Sequence, residues 1–151
     1  MTAAHALGSA FLIDGRRWTV QARLDAVSTT QRWSEYLMAG DGQYTWLAVE
    51  LLPTGAQTAQ WQRCDARELG FDPAAPGIGG VPLREVERDS ARYTVVGDLA
   101  GQLGADREGV LHFVDYVGDG IRAATEWFSE DGPVWLGYRR EHHDPAAITP
   151  L

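Results

Sequence analysis

Two carboxylates, Glu35 and Glu50, sit in the stretch RWSEYLMAGDGQYTWLAVE (Arg32–Glu50) among Trp33, Tyr36, Tyr44 and Trp46. Acids among aromatic rings can do three kinds of work. Two carboxylates at a set separation across a cleft can act as general acid and base. Trp33, Tyr44, Trp46 and Glu35 can cage an amine, the rings by cation–π attraction and the acid by charge. Alternatively, each acid pairs with an arginine, for which Arg17 and Arg32 are near candidates, while the rings pack a core. Asp115 and Glu126 place two more acids beside Tyr116 and Trp127. The candidate ligand-binding residues are therefore Trp33, Glu35, Tyr44, Trp46, Glu50, Asp115 and Glu126, and no residue is assigned a catalytic role.

Other chemistries have weaker support. His142-His143-Asp144 carries metal-ligand types, but adjacent residues of an extended tail point apart and give no fixed geometry. Cys64 lies near Trp61 and Arg63 without a nucleophile signature, and a lone cysteine is usually a small core residue. Gly77-Ile78-Gly79-Gly80 is glycine-rich but lacks the strand-to-helix context and following Lys of a phosphate loop. No metal and no cofactor is expected.

Short strands must position these side chains. Asp14-Gly15 is a hairpin signal between Ala6–Asp14 and Arg17–Asp25. Gly40-Asp41-Gly42 joins a second hairpin, Gln31–Ala39 and Gln43–Leu51. In its first arm Trp33, Glu35 and Leu37 share one face, and Tyr36 and Met38 the other. In its second arm Tyr44, Trp46 and Ala48 oppose Thr45, Leu47 and Val49. Neither face is cleanly polar, so both should be partly covered. Thr58–Cys64 reads as a short strand, Asp65–Leu69 as one helical turn and Asp72–Pro82 as a loop. Strands follow at Arg84–Arg88, Ala91–Gln102, Val110–Val117, Ile121–Ser129 and Val134–Arg140. The spacing predicts an all-β domain with little helix.

The two halves echo each other. Arg17-Trp18-Thr19-Val20 resembles Arg92-Tyr93-Thr94-Val95, and Glu35-Tyr36-Leu37 resembles Asp115-Tyr116-Val117. Gly40-Asp41-Gly42 recurs as Gly118-Asp119-Gly120. These echoes predict one domain over 1–151, built of two pseudo-repeated antiparallel meanders, about 7–64 and 84–141, that form a sandwich or partial barrel. On this reading Glu35 and Asp115 are equivalent, and an acid present in both halves is more easily a device of the fold than a unique site. The tail, 142–151, has two prolines and no periodicity and is expected to fray.

Composition narrows the partners. A net charge of -8 repels phosphate, which argues against nucleic acid and favours solubility or a cationic partner. All 13 basic residues are arginine. One cysteine allows no intrachain disulfide and points to a reducing compartment. Met1–Asp14 lacks the pattern of a signal peptide, and no run approaches the roughly 20 apolar residues of a membrane helix. The expectation is a cytoplasmic protein without membrane insertion.

The same residues carry a resemblance. Gly8 before a hydrophobic strand, Trp18-Thr19-Val20, Trp33-x-Glu35-Tyr36-Leu37 and Tyr44-x-Trp46-Leu47 resemble an uncharacterised bacterial domain family of unknown function. Tyr93, Val95, Gly97, Asp115-Tyr116 and Glu126 are similar to its later motif, and the likeness covers about Leu7 to Arg140. Gln21-Ala22 stands where the family has a softer Val-Gly. The resemblance implies no established activity and no catalytic residues to carry over. It does imply a setting, because such domains are often encoded beside spermidine-synthase-like proteins and small membrane proteins with envelope-stress associations. The expectation is a non-catalytic binding or accessory module with a protein or membrane-associated partner. The alternative is an enzyme or binding protein for a small cationic ligand such as a polyamine.

Overall fold

The computed structural model describes residues 5–99, 101–103, 105–140 and 148–151. Asp14 and Gly15 both take positive φ, as do Asp41 and Gly42. Two such residues in succession make the hairpin turn whose twist matches that of paired strands. These turns join β1 (Ala10–Ile13) to β2 (Arg16–Val27), and β3 (Arg32–Gly40) to β4 (Gln43–Leu52). The chain continues through β5 (Gly55–Asp65) into a short 3-10 helix (Ala66–Leu69), whose first turn is capped by the Asp65 side chain.

Next come β6 (Gly77–Ile78), β7 (Val81–Gly97), β8 (Glu108–Gly118), β9 (Ile121–Trp127), β10 (Trp135–Arg140) and β11 (Ile148–Pro150). The expected loop at Asp72–Pro82 is thus interrupted by β6, a two-residue strand on β7. The glycine run there is a hairpin corner, with Gly79 and Gly80 at positive φ. Arg84–Arg88 and Ala91–Gln102, expected as two strands, fall mainly in the single strand β7, which bends at an irregularity between Glu85 and Glu87.

Neighbouring strands run β2-β3-β4-β5-β10-β9-β8-β7, and β7 pairs back onto β2. The result is a closed eight-stranded antiparallel barrel of two four-stranded meanders, which sets aside the sandwich alternative. The closing seam needs a glycine. Gly97 sits opposite Ala22 at φ 90°, and a Cβ there would lie 2.5 Å from the Gln21 carbonyl oxygen. Because β2 and β7, and β5 and β10, are antiparallel, the Gly40–Gly42 and Gly118–Gly120 turns lie at opposite ends of the barrel.

Alternation puts one side of every strand into the barrel and the other outside. Leu24, Trp33, Leu37, Trp46, Tyr93, Leu111 and Phe113 pack the interior. Leu99 and Leu103, from the connection after β7, join this core and plug the end nearest the Gly40–Gly42 turn. The Trp135 indole N–H donates to the Leu103 carbonyl at 3.1 Å across that plug.

The outer face of the Gln31–Leu51 hairpin is covered, as its mixed patterning predicted, and so is part of the outer face of the second meander. Tyr36, Met38, Leu47 and Val49 pack under Phe11 and Ile13 of β1, with Ile148 of β11 against them. On the other side Val114, Tyr116, Ala123 and Leu136 meet Ala66, Leu83, Phe71 and Ile78. The expectation of a frayed tail is corrected at its end. Ile148–Pro150 pairs with β1, and the Leu151 N–H donates to the Ala10 carbonyl. Residues 142–147 lie outside the described residues.

Candidate functional site

The interior is not wholly apolar. On β3, Glu35 falls between Trp33 and Leu37 on the inward face and is only 4 % exposed. On β9, Glu126 also points inward and is 6 % exposed. Between them stands Arg63, which shares the inward face of β5 with Trp61, its side chain 8 % exposed. One guanidinium nitrogen, Nη2, lies 3.0 Å from Glu35 Oε2 and 3.6 Å from Glu126 Oε1. The first contact is a charge pair without hydrogen-bond alignment, since Glu35 Oε2 has no hydrogen-bond partner. The guanidinium stacks 4.4 Å above the Trp46 ring, and the Trp33 indole N–H donates to Glu35 Oε1 at 3.0 Å.

Removing three ionisable groups from water costs several kcal/mol per ion unless partners compensate. Here the compensation is uneven. Burial by itself would raise the Glu35 carboxyl, but the Arg63 charge, then hydrogen bonds from Glu126 and Trp33, hold it below its ordinary value. Glu126 goes the other way. Burial and the nearby Glu35 charge push it well above an ordinary carboxyl, against the weaker pull of Arg63. Thus the Arg63 charge favours the ionised form at Glu35, while burial beside the Glu35 charge favours the protonated form at Glu126.

A cavity of about 60 Å3 adjoins these groups, walled by Trp33, Trp46, Trp61, Phe113 and Trp135. It leads toward the end of the barrel opposite the plug. Gln31, Glu50, Trp61 and Asp115 line both this cavity and a wider mouth of about 440 Å3. The mouth also holds Arg32, Glu87, Arg122 and Arg139, under a rim of Leu51, Leu52, Pro53 and Val86. At the throat the Gln31 amide donates to Asp115 Oδ2 at 2.8 Å and also to Glu87. Burial raises Asp115 to about 6; the Gln31 hydrogen bond opposes the rise, and the Glu87 and Glu50 charges add to it.

Six of the seven candidate residues line this one cavity: Trp33, Glu35, Trp46, Glu50, Asp115 and Glu126. Tyr44 does not. It is exposed beside the Gly40–Gly42 turn, at the other end of the barrel. The pairing of the acids also differs from expectation. Glu35 lies opposite Ala48, Glu50 lies opposite Trp33 at the throat, and the acid that meets Glu35 is Glu126.

Trp33, Trp46 and Glu35, expected to cage an amine, come together without Tyr44, and the cation beside them is Arg63 of the chain itself. Arg17 and Arg32, named as partners for the acids, are both exposed. The overlooked residue is Arg63, and its signal was the alternation Trp61-x-Arg63 on a strand whose Trp faces inward. Cys64 faces the other way, toward the outer cluster. Burial, then the charges of Glu68 and Asp65, push its thiol up, which disfavours a thiolate nucleophile. Among the described residues no cluster of metal-ligating side chains occurs, and His142, His143 and Asp144 lie outside them.

Fold and site together define a class: a closed β-barrel, plugged at one end, with an ion-paired interior that opens at the other. The chain belongs to the family described as a domain of unknown function, DUF4178, whose model matches residues 6–139. Comparison with curated proteins and with solved structures gives no match. No helix among the described residues is long and apolar enough to cross a membrane.

Proposed function

We propose that this domain is a non-catalytic binding module that takes a small organic cation through the open mouth of its barrel. One observation carries the reading. The throat between cavity and mouth is lined by Glu50 and Asp115 beside Trp61, while Arg63 is already engaged by Glu35 and Trp46. Carboxylates suit an ammonium group by charge, and the Trp61 ring, over which the Arg139 guanidinium already lies at 5.5 Å, suits a cation by cation–π attraction. The interior acids serve an ion pair, which favours binding over acid–base chemistry. A polyamine is the first member of the class to try. Its wider role would be accessory, in a polyamine or envelope-stress system, with the loaded domain reporting to a protein or membrane-associated partner. The free Cys64 fits a reducing cytoplasm.

The test is calorimetry with spermidine on the wild type and on Asp115→Asn, at low and at physiological salt. Saturable binding that survives salt and weakens in the variant is expected. Heat that disappears with salt and is the same in both proteins would show only the general attraction of a -8 protein for a polycation, and the reading would fall.

A further inference from the structure

Glu126, like Glu35, keeps one buried carboxyl oxygen without a hydrogen-bond partner, and unlike Glu35 it makes no close contact with Arg63. Its Oε1 is 3.6 Å from Arg63 Nη2, beyond hydrogen-bonding distance, and its Oε2 is buried with no partner in the chain. An unpaired buried carboxyl oxygen is costly, and native interiors rarely leave one without a purpose. Glu126 also lines the cavity. At about 60 Å3 the space has room for a small polar head group beside these walls.

We infer that Glu126 is a proton-exchanging anchor: a primary ammonium head passes the throat and donates an N–H to Glu126 Oε2, and the carboxyl gives up its proton to solvent. This deepens the cation-binding reading and rests on it. The groups that face Glu126 set the terms. Glu35 from β3 and Arg63 from β5 cancel each other, so an ionised Glu126 would be a second carboxylate sharing one cation. In a buried site two carboxylates on one guanidinium cannot both stay charged unless another cation arrives. Asp115 from β8 adds further negative charge from the throat side. Glu50 and Glu87 repel a second anion at the mouth, while Arg32, Arg122 and Arg139 keep its net field small.

Burial and the Glu35 charge favour the protonated form of Glu126, and an arriving ammonium supplies the opposite charge that lets the carboxyl release that proton. The exchange balances. The Glu126 O–H bond breaks, its proton leaves through the mouth to buffer, and the ligand keeps all its own protons. No covalent bond to the ligand forms. Arg63 Nε and Nη1 are also buried without partners, but the cavity is too small for an anion large enough to bridge them together with an ammonium. The trimethylated head of a quaternary amine has no N–H to donate and should be refused.

The experiment is calorimetry with 1,4-diaminobutane at pH 7.5 in phosphate and in HEPES, buffers that differ in the heat of taking up a proton and carry no primary ammonium. Wild type should bind with an apparent enthalpy that differs between buffers by one released proton. Glu126→Gln, nearly isosteric, should bind about tenfold more weakly or worse and lose the buffer dependence. Tetramethylammonium should not compete. Binding with the same enthalpy in both buffers would overturn the anchor and leave the cation reading standing. Absence of saturable binding by any amine would overturn both. Should Glu126→Gln fail to fold, the two-buffer measurement on wild type decides alone.

Discussion

The hairpins β3–β4 and β8–β9 face each other across the barrel, and counting back from their turns aligns them. Gly40 pairs with Gln43, and Gly118 with Ile121. Five residues before the turn stands Glu35 in one hairpin and Phe113 in the other. Five residues after it stand Ala48 and Glu126. Asp115, three residues before its turn, therefore matches Leu37, and the equivalence of Glu35 with Asp115 read from the sequence is two residues out of register. Each hairpin does place one acid deep in the barrel, but from opposite strands. A carboxylate at the same height in both arms of one hairpin would repel its neighbour. Drawn from different strands, the two acids instead approach one guanidinium from two sides. Each keeps one carboxyl oxygen without a hydrogen-bond partner, but Glu35 also accepts the Trp33 indole N–H and lies closer to Arg63.

The double variant Glu35→Gln/Glu126→Gln tests whether both acids hold Arg63. It strands a buried guanidinium and should cost about 3–5 kcal/mol by urea unfolding at neutral pH. A loss no greater than about 0.5 kcal/mol, that of an ordinary surface change, would break the comparison.

Asp115→Asn probes the throat of the second hairpin and has the opposite sign. A folded value near 6 against 3.8 means the native state holds a proton that the unfolded chain has lost between those pH values. Wild-type stability from this group is therefore present below about pH 4 and lost as pH rises through 6. The variant should be more stable than wild type at pH 7.5, by roughly 3 kcal/mol at most, and the gain should vanish by pH 4. A variant less stable at pH 7.5 would mean that the ionised carboxylate is the better partner for Gln31.

The single variants sharpen the asymmetry. Glu35→Gln removes the ionised partner, and Glu126 can then ionise in its place, so the cost should fall to about 1–2 kcal/mol. Its pH profile should change as well. Glu35 lies below its ordinary value, so its stabilisation is present above the usual carboxyl range and is lost as acid titrates the folded group; the variant should lack that limb. Glu126→Gln exchanges a neutral acid for a neutral amide; because the folded carboxyl is held well above its ordinary value, the variant should lose no stability at pH 7 and should gain on wild type as pH rises above the usual carboxyl range. Equal costs for the two would place the shared proton evenly and remove the distinction between the hairpins.

Much of the interior was legible from alternation alone. Trp33, Glu35 and Leu37 had to share a face, and so did Trp46, Ala48 and Glu50, because successive residues of a strand point to opposite sides. Asp14-Gly15 and Asp41-Gly42 marked turns because few other pairs adopt positive φ in succession. The acids and rings gathered at the cavity, Tyr44 excepted, were visible as residue types in that pattern. Tyr44 has the right parity but the wrong height, and parity carries no height.

What the chain determined by itself is therefore local: strands, turns and the inward or outward sense of each side chain, all set by backbone sterics and a period of two. Only the tertiary structure decided that Arg63, rather than Arg17 or Arg32, is the cation beside Trp46 and Glu35. It alone set Glu126 beside Glu35, and Leu99 and Leu103 across one end of the barrel. These follow from β5 pairing with β10 and β7 closing onto β2, contacts between residues far apart in the chain. Periodicity within a strand states which face is buried. It does not state which strand lies across from it, because that choice rests on the summed packing and hydrogen bonding of the whole closed sheet.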